Sequence, residues 1–142
     1  MTQDVALPVI LVVAAALIDP DGRVLIAQRS PGKAMAGLWE FPGGKIEPDE
    51  MPETALIREL REELAITVQP ACLAPFTFAS HSYARFHLLM PLYLCRRWEG
   101  TPRAQEHSVI KWIRPRELMA NRDDFPMPEA DLPLLPMLRD LL

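Results

Sequence analysis

Residues 43–66 read GGKIEPDEMPETALIRELREELAI, and this stretch decides how the rest of the chain is read. Its second half, Glu53 to Leu64, is the clearest helix in the chain. Leu56, Leu60 and Leu64 recur at i, i+4 and i+8 on one face. Pro52 stands near the first turn, where a missing N–H costs nothing. Glu59, Glu62 and Glu63 fall within an arc of roughly 100°, next to the leucine stripe. Like charges three and four apart repel, and late in a helix the dipole disfavours them further. A divalent cation would reverse both penalties, and hard carboxylate oxygens suit Mg²⁺ or Mn²⁺. Read by itself, Arg-Glu-Leu-Arg-Glu-Glu also fits a solvated helix in which Arg58 and Arg61 pair with neighbouring glutamates. The preceding loop shifts the balance. Gly43 and Gly44 let backbone approach a ligand closely, and Lys45 offers a cation to a phosphate oxygen. The glycines are too few and wrongly spaced for a P-loop.

Outward from this stretch, the chain reads as alternating short elements. Val9 to Ile18 is apolar but only ten residues long, half of what a membrane span needs. No Lys or Arg precedes it, as a secretory signal would require. It is expected to be a buried strand, turned by Asp19-Pro20-Asp21-Gly22 into a hairpin with Arg23–Arg29. Leu38–Phe41 is a short extended piece. Strands follow over Cys72–Ser80, Arg85–Cys95 and Val109–Ile113, with Pro91 suggesting an edge or a bulge. A short helix or turn follows at Arg114–Met119, then a proline-rich loop at Asp124–Pro128. A terminal helix is expected over Asp131–Leu142. The order β-β-loop-helix-β-β-β-helix implies an α+β domain with a mixed sheet.

Composition sets the outer limits. A chain of 142 residues suits one domain, spanning 1–142, with a core of its own. Hydrophobic residues at 49% and charged residues at 24% exclude a disordered or fibrous chain. The net charge of −4 argues against a dedicated nucleic-acid binder. Cys72 and Cys95 are too few for a disulfide framework or a zinc site, and are expected to be reduced core residues of a cytoplasmic protein. The 15 prolines, against about 7 at average usage, are spread along the chain and punctuate many short elements. His81, His87 and His107 are too scattered for zinc and receive no role.

Taken together, Gly44, Glu50, Arg58, Glu59, Leu60, Glu62, Glu63 and Ile66 resemble the Nudix box. Its final glycine is replaced by Ala65, a position that helps end the helix and binds no metal. The likeness extends to Leu38–Lys45 (LWEFPGGK), to Arg97-Trp98-Glu99-Gly100 followed by Glu106, and to Asp124-Phe125-Pro126 with Ala130-Asp131-Leu132-Pro133. These segments resemble the MutT branch, the 8-oxo-dGTP diphosphatases. The resemblance implies an α/β/α sandwich and Mg²⁺-dependent hydrolysis of a nucleoside triphosphate to monophosphate and pyrophosphate. The implied role is sanitising the nucleotide pool against mutagenic, oxidised guanine nucleotides that would otherwise enter DNA.

Carried over by position, Glu59, Glu62, Glu63 and Glu106 are the metal-site carboxylates, and the Gly43 carbonyl is a further ligand. Lys45 neutralises phosphate charge, while Arg58 and Glu50 hold the box together. Arg29, Glu40, Phe41, Pro42, Gly43, Tyr83, Phe86 and Asp131 are expected around the substrate. Trp39 and Phe78 are further aromatic candidates for the base pocket. Asp131 stands where relatives usually carry Asn, and Ala34 where they often carry His. An ionised Asp131 would accept hydrogen bonds from guanine N1–H and N2–H₂ and lose contact with O6. The expected partner is a small nucleotide, with no nucleic acid, no membrane and a monomeric protein. Two other functions fit parts of this pattern: a CTP or pyrimidine nucleotide pyrophosphohydrolase, and a non-catalytic binding module. The second normally lacks box carboxylates, and all are present here.

Overall fold

A computed structural model of the chain describes residues 6–105 and 109–142. Among these residues, seven strands and three α-helices follow in the order β1 (Val9–Leu17), β2 (Val24–Gln28), β3 (Trp39–Glu40), β4 (Gly43–Lys45), α1 (Pro52–Leu64), β5 (Leu73–Ser82), β6 (His87–Cys95), β7 (Val109–Ile113), α2 (Pro115–Ala120) and α3 (Leu134–Leu141). The strands form a mixed four-stranded sheet, β4-β1-β6-β5, and an antiparallel three-stranded sheet, β3-β2-β7. The α+β class holds, with two sheets in place of one.

β1 organises the core. Its run VILVVAAAL is apolar on both faces, and from Val13 onward both are covered, while Val9 and Leu11 at its start stay exposed. Val13, Ala15 and Leu17 pack with Leu56, Leu60 and Leu64 of α1. Ala14 and Ala16 face Leu118 of α2 and Leu134, Leu135 and Leu138 of α3. The four-stranded sheet is therefore layered between α1 and the α2–α3 pair, as an α/β/α sandwich.

The expected hairpin does not form. The Asp19–Gly22 turn is present, with the Asp19 carboxylate accepting the N–H groups of Asp21 and Arg23 at 3.0 and 2.8 Å. Beyond the single bridge Ile18↔Val24, however, β1 and β2 part into different sheets. β1 pairs antiparallel with β4 and parallel with β6, so both its edges are taken. Gly43–Lys45, read as a loop, is β4 itself.

Pro91 lies in β6, a central strand, not at an edge. The parallel ladder runs from Val9↔His87 to Leu11↔Leu89 and resumes at Ala14↔Leu92, skipping the stretch where Pro91 has no N–H to give. A register shift between Pro75 and Thr77 in the neighbouring β5 supplies the irregularity nearby. The terminal helix begins at Leu134, not Asp131. Asp131 belongs to a separate 3₁₀ turn, Glu129–Asp131, and Pro133 interrupts the hydrogen-bond ladder between the two. Among the described residues, no helix is long and apolar enough to cross a membrane.

Candidate active site

Local chemistry sets α1. Pro52 opens it, Leu56, Leu60 and Leu64 are buried to the sheet, and Ala65 closes it by donating its N–H to Arg61 O at 3.0 Å. Ala65 adopts φ 58° and ψ 34°, the left-handed conformation that helix ends commonly give to glycine. This is the position where the sequence departs from the family pattern, and the backbone geometry is kept despite the Cβ.

The leucine stripe turns Glu59 and Glu63 toward β4. Glu63 is 7% exposed, and its Oε2 accepts the Gly43 N–H at 3.2 Å. Glu59 lies against Gly44, where any Cβ would collide with its carboxylate. A Cβ on Gly43 would overlap the Val13 carbonyl of β1. Gly43 is thus required by its close approach to the β1 backbone, while Gly44 leaves the room in which the Glu59 carboxylate of α1 sits. Arg58 ties the box together. Its Nε and Nη2 donate to the two oxygens of Glu50, both at 2.9 Å, and Nη1 donates to Glu59 Oε1 at 2.8 Å. That guanidinium holds the Glu50 carboxyl down to about 2. Arg61 donates to Thr67 Oγ1 at 3.0 Å.

Glu59 and Glu63 line one end of a cleft of about 400 Å³, together with Gly43, Gly44 and Lys45. Glu62 is outside its wall, with a 48% exposed side chain 3.5 Å from Arg58 Nη1. Glu106 lies outside the described residues. The chain just before it is anchored to the end of α1, where Arg103 and Gln105 donate N–H to Leu64 O and Glu63 O at 3.0 Å each. Among the described residues, no three His, Cys, Asp or Glu side chains are gathered as a complete metal site. The donors present at this end are nonetheless all hard oxygens, with the buried Glu63 carboxylate beside the Gly43 backbone and Glu59 in a cradle that a Cβ would fill. That set fits a divalent cation such as Mg²⁺ and is unsuited to softer metals.

The other end of the cleft gathers Arg29, Glu40, Phe41, Tyr83, Phe86 and Asp131. Arg29 Nη1 donates to Glu40 Oε1 at 3.1 Å. Asp131 is only 4% exposed and accepts the Phe41 N–H. Burial, reinforced by the neighbouring Glu40 charge, pushes its carboxyl up to about 7. In its protonated form the carboxyl donates one hydrogen bond while accepting another, as the amide of an Asn does.

Three expected residues are elsewhere. Trp39 is buried in the core, its ring edge-on to Phe125 at 5.5 Å, and its backbone N–H donates to Pro126 O at 2.7 Å. Phe78 pairs with Pro91 on the sheet face away from the cleft and is 61% exposed. Pro42 contributes its carbonyl to Ala15 N–H at 2.9 Å rather than a surface to the cleft. The cleft is also lined by Ile10, Val12, Leu88 and Met90 and by Lys33, which no motif in the sequence marks. The period-2 alternation of β1 and β6 is the signal that assigns the first four to one sheet face.

Against known proteins, residues 13–137 match the family model described as NUDIX domain. The chain is 42% identical over 125 residues to the CTP pyrophosphohydrolase of Escherichia coli K12, covering 87% of each. It is 37% identical over 123 residues to the 8-oxo-dGTP diphosphatase of the same organism, covering 87% of this chain and 91% of that one. Among solved structures, the E. coli ORF135 protein superposes with a TM-score of 0.79 at 37% identity, over 95% of this chain and 91% of that one. The MutT NUDIX hydrolase of Burkholderia pseudomallei superposes with a TM-score of 0.74 at 29% identity, over 90% and 96% respectively. The carboxylate helix packed on a glycine strand therefore has the family match to accompany it, and the chain belongs to the Nudix hydrolase family.

Proposed function

We propose that the protein hydrolyses nucleoside triphosphates to the monophosphate and pyrophosphate, with 8-oxo-dGTP as favoured substrate and Mg²⁺ or Mn²⁺ as cofactor. The observation that carries this reading is the single cleft with chemically distinct ends. Glu59, Glu63, Gly43 and Lys45 stand at one end, and the buried Asp131 with aromatic side chains at the other. Its volume of about 400 Å³ is in the range of nucleotide-sized ligands. At the first end Glu59, Glu63 and the Gly43 carbonyl would hold the cation, joined by Glu62 and Glu106 as further carboxylates. When bound, the cation supplies Lewis-acid charge to the phosphates. Lys45 neutralises a phosphate oxygen, and Gly44 keeps space for the Glu59 carboxylate.

At the second end, Asp131 reads the base edge. Ionised, it accepts guanine N1–H and N2–H₂; protonated, it accepts N1–H and donates to O6. Guanine satisfies both states. Oxidation at C8 adds an N7–H donor, which a carbonyl of the pocket can accept. The protein would act on the nucleotide pool, removing oxidised guanine before it is incorporated into DNA.

A second reading, a CTP pyrophosphohydrolase, is supported by the 42% identical relative of that name. Protonated Asp131 also matches cytosine, donating to N3 and accepting from N4–H₂. Pyrophosphate release with Mg²⁺ across 8-oxo-dGTP, dGTP, dATP, dCTP and CTP separates the readings. The expected order by kcat/KM is 8-oxo-dGTP, dGTP, then dATP and dCTP. CTP ahead of 8-oxo-dGTP would install the second reading, and no release from any would indicate a binding module.

A further inference from the structure

The turn that carries Asp131 is clasped by the end of β5. Ala130 donates its N–H to Tyr83 Oη at 3.2 Å. One residue earlier, Glu129 Oε2 lies 3.1 Å from His81 Nε2, and the His81 and Tyr83 rings meet edge-on with centroids 4.7 Å apart. Tyr83 is itself fixed: its N–H donates to Phe86 O at 2.8 Å, and its ring packs on Phe86 at 5.2 Å. From the other side, the Phe41 N–H bonds the Asp131 carboxyl. The side chain is thus set from the β3 side and its backbone from β5.

The Tyr83 bond has a specific cause. The first N–H groups of a helical turn lack partners within it. The residue preceding this turn is Pro128, which provides no side-chain cap. Ala130 is buried, and a buried donor left unpaired is costly. The Tyr83 hydroxyl meets that need while its ring lines the cleft.

We infer that the Tyr83 hydroxyl, acting through Ala130, is a positioning element for Asp131 and thereby sets base discrimination, with the His81–Glu129 pair as the outer part of the same clasp. This rests on the reading of Asp131 as the base-reading group. Hydrogen bonds weaken steeply with misalignment, so freeing the turn degrades discrimination without touching the phosphate end of the cleft.

The test compares wild type, Tyr83→Phe, Asp131→Ala and the double variant on 8-oxo-dGTP, dGTP, dATP and CTP, with Tm for each. Tyr83→Phe keeps the ring and removes the anchor. It should narrow the kcat/KM ratio between best and worst base by about 3- to 10-fold, the worth of one hydrogen bond. The loss should appear in KM rather than kcat, and should vanish in the Asp131→Ala background. His81→Gln should narrow the ratio in the same direction by less, and it serves as the test if Tyr83→Phe does not fold. Unchanged discrimination in both clasp variants, with or without a lower Tm, while Asp131→Ala flattens the ranking, overturns the clasp and leaves the base reader standing. An undiminished Tyr83→Phe effect in the Asp131→Ala background means that the hydroxyl meets the base directly, and also overturns it. A ranking unmoved by Asp131→Ala overturns both readings.

Discussion

Arg58 grips Glu50 with two parallel N–H···O bonds of 2.9 Å and turns its remaining nitrogen to Glu59 at 2.8 Å. The guanidinium therefore links the loop before α1 to a carboxylate that lines the cleft. It also resolves the tension noted in the sequence, because the repulsion among Glu59, Glu62 and Glu63 is partly offset by one cation reaching both Glu59 and Glu62.

Replacing Arg58 by Lys keeps the charge and loses the fork. Glu59 should lose its orientation and turnover should fall about 10- to 100-fold, the usual loss when a partner that orients a metal ligand is removed. Circular dichroism should show an intact fold. Wild-type turnover in Arg58→Lys would show that Glu59 is oriented without the fork.

Glu63→Gln retains an amide oxygen for the Gly43 N–H, so the contact between α1 and β4 survives. It removes one negative charge from the part of the cleft lined by Glu59 and Lys45. Folding should persist and activity should fall by at least about 10- to 100-fold. Turnover near wild type at saturating Mg²⁺ would remove Glu63 from the ligand set.

Ala65 holds φ 58° with a Cβ that the left-handed region penalises by about 1–2 kcal/mol. Part of that returns in Ala65→Gly, offset by the greater freedom of glycine in the unfolded chain. A net gain of about 0.5–1 kcal/mol is expected, seen as a Tm higher by about 2–4 °C, with unchanged kinetics. A lower Tm would mean that the Cβ packs favourably enough to outweigh its strain.

Asp131 is expected to make both stability and base choice depend on pH. Its folded carboxyl titrates near 7, above the ordinary 3.8, so between those values the folded state binds more protons than the unfolded. Stability is then highest below about 4 from this group and falls as pH rises toward 7. Asp131→Asn removes that term, so urea melts should show it gaining on wild type from pH 5 to pH 8. Catalysis should show the same transition. Cytosine needs the protonated carboxyl and guanine accepts either state, so the CTP to 8-oxo-dGTP ratio of kcat/KM should fall as pH rises through 7. A flat ratio would mean that Asp131, beside Glu40, does not titrate through this range in the free enzyme or does not read the base.

Some of this protein was decided within short stretches of chain. Thirteen residues suffice to make α1, because Pro52, the leucine repeat and the glutamates act over one to four positions, and their faces follow from 3.6 residues per turn. The shared face of Glu59 and Glu63 was legible for that reason, as was the Asp19–Gly22 turn, whereas Gly43 and Lys45 stood out only through the resemblance of the whole segment to the Nudix box. What needed the tertiary structure involves partners distant in the chain. Val9–Leu17 could be recognised as a buried strand, but not that β4 and β6 would occupy both its edges and turn β2 away into a second sheet. Trp39, Phe41 and Phe78 are equally aromatic in sequence, and only packing buries the first in the core, puts the second at the cleft and leaves the third outside. Asp131 could be named as a departure from Asn, whereas its proton depends on burial beside Glu40, 91 positions earlier in the chain. Hydrogen-bond periodicity is a local property of the backbone; strand partnership and the desolvation of a carboxyl depend on what the folded chain brings within a few ångströms.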